Sequence, residues 1–179
     1  LSSLAGGLVL LFYRPVIAVS ESGQSDGGRR LSLIMKQSVL WVAVMSAGVG
    51  YAVMSYIMTA TPVSMHHMDG HSLADTKWVI QSHIFAMFLP SFFSGRLIER
   101  FGAPRIMLAG LVVYLACGMI ALSGKDLMHY WLGLVLLGIG WNFLFVAGTA
   151  LLPTCYRAEE RFKVQGLNDF EEFYQNFYY

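Results

Sequence analysis

Residues 95–105 read GRLIERFGAPR, with Arg96, Glu99, Arg100 and Arg105 crowded between two runs, 78–95 and 106–124, that hold no Asp, Glu, Lys or Arg. Two more uncharged runs, 37–68 and 127–156, lie to either side. Each reaches the ~18 residues at which an apolar stretch reads as a membrane span, because ~1.5 Å of rise per helical residue has to cover ~30 Å of hydrocarbon. Composition agrees: 56% of the 179 residues are apolar and 13% are charged, and mean hydropathy is +0.55. Lipid offers no partner for backbone polar groups, so spans this long must be helices. The expected fold class is all-α, a polytopic membrane protein.

Four full spans are expected, at roughly 38–62, 78–95, 106–124 and 130–153. Residues 1–13 are apolar but short and read as the end of a further span. Residues 14–36 contain ESGQSDGGRR, a Ser, Gly and charge-rich stretch expected to be a flexible cytoplasmic linker between bundles. Residues 37–163 then hold the four-helix part of one bundle. Residues 164–179 read as the start of another helix, interrupted by Glu171 and Glu172 and unassigned after 170. Lys and Arg accumulate on the cytoplasmic side. The connections at 14–36, 96–105 and 157–163 hold Arg14, Arg29, Arg30, Lys36, Arg96, Arg100, Arg105, Arg157, Arg161 and Lys163, whereas those between them hold Lys77 and Lys125 alone. This alternation puts 96–105 inside and the 65–77 connection outside.

A formal net charge of +1 argues against a nucleic-acid partner. Cys117 and Cys155 sit in or at the end of different spans and read as structural thiols without a disulfide. The chain opens on Leu1 with no basic stretch before its apolar residues, so it reads as a fragment without a signal peptide. No GxSxG, HExxH, P-loop or dinucleotide fingerprint is present, and neither enzyme activity nor a cofactor is expected. Gly48, Gly50, Gly110, Gly118, Gly133, Gly138, Gly140 and Gly148 recur inside the spans, where small residues let helices approach closely.

In GRLIERFGAPR, Gly95 and Gly102 suit a tight helix-loop-helix, and Glu99, Arg100 and Arg105 suit a charge network with neighbouring helix ends. The stretch resembles the signature loop of the major facilitator superfamily, G-x-L-x-D-R-x-G-x-x-R, which recurs in both halves of those transporters. Leu97 fits as well; Glu99 replaces the usual aspartate, and Ala103 and Pro104 stand where basic residues are common. In that family the second copy follows the eighth of twelve helices. The resemblance therefore implies the C-terminal half of a twelve-helix fold. Residues 1–13 become the end of helix six, 14–36 the central linker and the four spans helices seven to ten. YRAEERFKVQGLNDF (156–170) is similar to the stretch entering helix eleven. The implied function is secondary transport across a bacterial inner membrane, with the lipid bilayer and the missing N-terminal half as partners and Gly95, Glu99, Arg100, Gly102 and Arg105 as a conformational gating loop.

Two i, i+4 pairs lie on consecutive spans, Met54 with Met58 and His83 with Met87. Residues four apart share one helix face. Because the spans run in opposite directions, Met58 and His83 should lie near one level, with Met54 and Met87 a turn deeper. Thioether sulfur with imidazole nitrogen suits a soft monovalent ion, Cu(I) above all. An ionisable group within a span is a candidate for function, and His83 reads equally as a proton relay or as a packing histidine. The pairs also resemble those that CcoA-like copper importers carry on helices seven and eight, which implies copper as cargo, bound by Met54, Met58, His83 and Met87. The alternative is proton-coupled transport of an organic solute or drug, with His83 as proton carrier and methionines as apolar lining. In the outer connection, Met65, His66, His67, Met68 and His71 are candidates to capture a metal. Trp41, Trp78, Tyr130 and Trp131 read as interfacial anchors, and Gln81 and Asn142 as cavity-lining or helix-bridging groups.

Overall fold

The structure, a computed structural model, describes residues 31–157 and Glu160. The expectations for 1–13, for most of 14–36 and for 164–179 fall outside the described residues. Within them helices joined by short connections make up the chain. A single turn, α1 (Leu31–Ile34), leads into α2 (Ser38–Val63), which continues as a π-helical turn over Ser64–Met68. There follow α3 (Leu73–Phe88), α4 (Ser91–Phe101), α5 (Ala103–Ser123) and α6 (Leu127–Leu151), and a 3-10 turn over Leu152–Cys155. Among the described residues three stretches are long and apolar enough to cross a membrane: Ser38–Met68, Ala103–Ser123 and Leu127–Cys155.

The expected span at 78–95 is different: it is broken. Pro90 has no N–H to give the Ala86 carbonyl and its ring crowds that turn, so α3 stops at Phe88 and α4 restarts at Ser91. Neither half is long enough alone, but 73–101 together reach about 40 Å at ~1.5 Å per residue. The expected long outer loop is also corrected. Pro62 lies in the last turn of α2, the helix then widens into the π turn, and only residues 69–72 connect it to α3. Ser72 caps α3, its hydroxyl oxygen accepting the Asp75 N–H at 3.1 Å.

The inner connection shrinks too. Residues 96–101 belong to α4, and Gly102 alone joins α4 to α5, its φ of 84° being a conformation that favours glycine. Gly95, expected to help the turn, lies inside α4 instead. The end of the expected linker is ordered: Ile34 is fully buried against Leu40, Ala43, Leu152 and Cys155. Cys117 and Cys155 are buried and form no disulfide with each other.

α6 is the hub on which α2, α3 and α5 pack, and its glycines explain how. A Cβ at Gly138 would lie 2.9 Å from the His83 carbonyl oxygen and 3.0 Å from the Met87 nitrogen of α3. One at Gly148 would lie 2.9 Å from the Ala43 carbonyl of α2. Gly110 of α5 and Gly140 of α6 face each other across their carbonyls, and Gly140 also makes room for the Tyr114 ring. The Tyr114 hydroxyl can therefore pass α6 and donate to the Gly50 carbonyl of α2 at 2.7 Å. Gly118 and Gly133 differ, since an added methyl there would meet nothing. Apolar clusters fill the spaces: Ala103, Ile106, Met107, Leu144 and Ala147 towards the Gly102 end, and Met65, Val79 and Leu134 towards the Asp69 end.

Candidate functional site

One member of each paired motif, Met58 of α2 and His83 of α3, packs at the Leu134 level of α6. His83 is fully buried, and its Nδ1 lies 2.8 Å from the Leu134 carbonyl oxygen. A carbonyl only accepts, so Nδ1 carries the hydrogen and Nε2 is left with a bare lone pair. Nε2 is buried and has no hydrogen-bond partner among the described residues. Leaving such an atom unpaired costs about 1–3 kcal/mol, which marks it for a proton or a ligand. Met58 packs against the cluster that contains Leu134, together with Ile57, while Met54 is buried along α2. Met87 is half-buried. Among the described residues no three His, Cys, Asp or Glu side chains gather as a metal site.

A second polar centre sits at the helix break. Asn142 of α6, 1% exposed, donates to the Met87 carbonyl at 2.8 Å and lies 2.6 Å from the Ser91 hydroxyl. The Ser94 hydroxyl is within bonding distance of both Asn142 Oδ1, at 2.7 Å, and the Pro90 carbonyl, at 2.8 Å. Asn142 thus bridges helices, one of the two roles its position suggested, by holding both sides of the α3–α4 break. Ser91, Pro90 and Ser94 were not singled out in the sequence; a proline in the middle of an uncharged run was the available signal.

Between α3, α4 and α6 runs a groove of about 630 Å³ lined by Trp78, Gln81, Phe85, Phe93, Trp131 and Phe143 among others. Trp78 and Trp131 stack with ring centroids 5.6 Å apart and planes 10° from parallel. These two residues of different helices therefore form one continuous aromatic wall, beyond the anchoring role expected of each.

Of the five residues proposed for outer metal capture, His66, His67 and His71 stay near one another and Met65 is turned away. Met65 is fully buried in the core with Val79 and Leu134, because the π turn rotates it inward, and this removes it from a surface site. His66 Nδ1 is 3.0 Å from the His71 carbonyl oxygen and His71 Nε2 is 2.9 Å from that of Lys125. His67 and Met68 are exposed, and the rings of His66 and His67 meet edge to face at 5.1 Å. The same end carries a tighter polar cluster. Tyr130 donates to Asp69 at 2.5 Å, Ser64 Oγ lies 2.7 Å from the Tyr130 hydroxyl, and Lys125 Nζ is 3.2 Å from Asp69. The hydrogen bond from the Tyr130 hydroxyl, the largest effect, holds the Asp69 carboxyl below its ordinary value; burial, the next largest, opposes it, and the Lys125 ammonium lowers it further.

At the other end, Gly95, Glu99, Arg100 and Arg105 are exposed. Arg100 lies 5.4 Å from the Phe101 ring centroid, and Arg105 reaches the Phe101 carbonyl at 3.4 Å. Among the described residues no ion pair joins Glu99 to these arginines. The charge network expected around them is not formed by this part of the chain.

A family model described as the Major Facilitator Superfamily matches residues 1–170. Among curated relatives, the riboflavin transporter RfnT of Brucella anthropi is 40% identical over 170 residues, covering 95% of this chain and 42% of that protein. YddS, an uncharacterised MFS-type transporter of Bacillus subtilis, is 35% identical over 93% of this chain and 41% of its own length. YdeG, also an uncharacterised MFS-type transporter of Bacillus subtilis, is 40% identical over 65% of this chain and 27% of its own length. The chain thus spans about two fifths of the first two relatives. No solved structure matches. The glycine-packed apolar helices, the GRLIERFGAPR loop and the match over nearly the whole sequence lead to one assignment: this chain is part of a membrane protein and belongs to the Major Facilitator Superfamily.

Proposed function

We propose that the whole protein is a proton-coupled secondary transporter that moves a small organic solute of the riboflavin kind across the bacterial inner membrane, with His83 carrying the proton. The observation that carries this reading is the buried, unpartnered Nε2 of His83. Few charges compete with it: α2 holds no Asp, Glu, Lys, Arg or His, α3 holds Asp75 and Lys77 at its far end, and α6 holds His129 in its first turn. A proton on Nε2 would place a cation where three apolar helices meet, and would tip the balance between two packings of the bundle. The 40% identity to a riboflavin transporter supports the cargo class. This chain supplies part of one bundle of the C-terminal half, and Gly95, Glu99, Arg100, Gly102 and Arg105 serve as a gate whose ionic partners lie in the rest of the protein.

Copper remains the second reading, favoured by the lone pair of His83 Nε2 and the thioethers of Met54, Met58 and Met87. One experiment separates them. Cells lacking their own importers receive the full-length gene, as wild type, as His83→Gln or with all three methionines changed to leucine, and riboflavin and copper contents are measured with and without a proton gradient. Organic cargo requires gradient-dependent riboflavin uptake that His83→Gln uncouples and the leucines tolerate. Copper accumulation lost in the leucine variant, with riboflavin unchanged, overturns it.

A further inference from the structure

Among the described residues, the groove between α3, α4 and α6 holds three side-chain polar groups without a partner: those of Gln81 and Ser82 and the buried Nε1 of Trp131. Gln81 is exposed and Ser82 half-buried, both line the groove, and neither side chain has a hydrogen-bond partner among the described residues. Gln81 lies eight residues into α3, about 12 Å below its start, at a depth where an unsatisfied amide is costly. Around it the walls are aromatic and aliphatic, including the parallel Trp78–Trp131 pair. An acyl chain or a wholly apolar helix would fill the space and leave the carboxamide and the hydroxyl unpaired. A sugar would need more polar partners than these three, and the groove offers a soft metal ion no imidazole, thiol or carboxylate.

We propose that this groove is a binding subsite for a planar heteroaromatic ring bearing an amide- or imide-type edge. The Gln81 carboxamide, donor and acceptor at once, pairs with that edge. Ser82 adds a second hydrogen bond, and Trp78, Trp131 and Phe143 cover the ring faces. A volume of about 630 Å³ falls among those of ordinary small-molecule pockets. The inference rests on the organic-cargo reading above and adds where, and by which edge, the cargo is read.

The test uses the full-length transporter purified in detergent, with riboflavin and an N3-methylated flavin as probes and quenching of flavin fluorescence as the readout. Wild type should bind riboflavin and lose about tenfold in affinity on N3-methylation or in Gln81→Leu, the loss expected for one unmade hydrogen bond in an apolar site. Ser82→Ala, too small a change to threaten folding, should weaken binding less, and Gln81→Asn should recover part of it. N3-methylation should cost Gln81→Leu almost nothing further. If wild type fails to bind riboflavin, the organic-cargo reading falls and the subsite with it. If wild type binds, but Gln81→Leu and Ser82→Ala bind equally well and N3-methylation costs nothing, the subsite alone is overturned.

Discussion

The two short connections at opposite ends of the bundle commit their polar groups in opposite ways. At the Asp69 end, residues 69–72 are stitched to the start of α6 by Tyr130, Lys125 and Ser64 around one carboxylate, with His71 bonded to the Lys125 carbonyl. At the Gly102 end, one glycine makes the turn, and Glu99, Arg100 and Arg105 face outward. One end is closed by its own residues. The other keeps its charges exposed, as the gate proposed above would require.

The contrast can be broken or sharpened by substitution. The largest effect should come from Gly138→Val, because a side chain there collides with α3 backbone and α6 supports both ends. A loss of about 3 kcal/mol or failure to fold is expected, read from thermal unfolding of the whole protein in detergent. Asn142→Leu should cost about 2 kcal/mol by stranding the Met87 carbonyl and the Ser91 hydroxyl, while Ser94 keeps its bond to the Pro90 carbonyl. Hydrogen exchange should rise near 87–94 and stay unchanged near Asp69; a uniform rise would contradict a local hinge lock.

Tyr130→Phe should destabilise less and only at the Asp69 end, with faster exchange across 64–72. Its pH dependence has a definite sign. The folded-state Asp69 carboxyl lies below its ordinary value of 3.8, so its stabilisation is full above that value and is lost as pH falls through the folded-state one. Asp69→Asn should therefore flatten the acid limb of a melting-temperature profile. Smallest of all should be Glu99→Gln, within about 0.5 kcal/mol on stability because the side chain is exposed. A large loss of stability would show that Glu99 is held inside this bundle after all.

The uncharged runs placed α2, α5 and α6, since hydropathy over twenty residues is a strong local signal. They misplaced the run at 78–95, where Pro90 divides one apolar stretch into two helices and hydropathy is blind to the division. The candidate site was legible as residue types: His83 stood out as an imidazole inside a span, and Gln81 and Asn142 as polar groups among apolar ones. Their roles were not, because Asn142 serves a break in α3–α4 some fifty residues earlier. Met65 shows the same limit, since its side of the chain depends on a π turn that no periodicity announces.

Membrane residence, helical content and the short charged connections follow from local pattern, because the bilayer imposes length and apolarity on each span separately. Which face of each helix is buried follows from assembly. The Leu134 carbonyl decides which His83 nitrogen is left bare, and the aromatic wall needs α3 and α6 as close as Gly138 lets them come for Trp78 to stack on Trp131. Such pairings join residues some fifty apart, and no local preference encodes them.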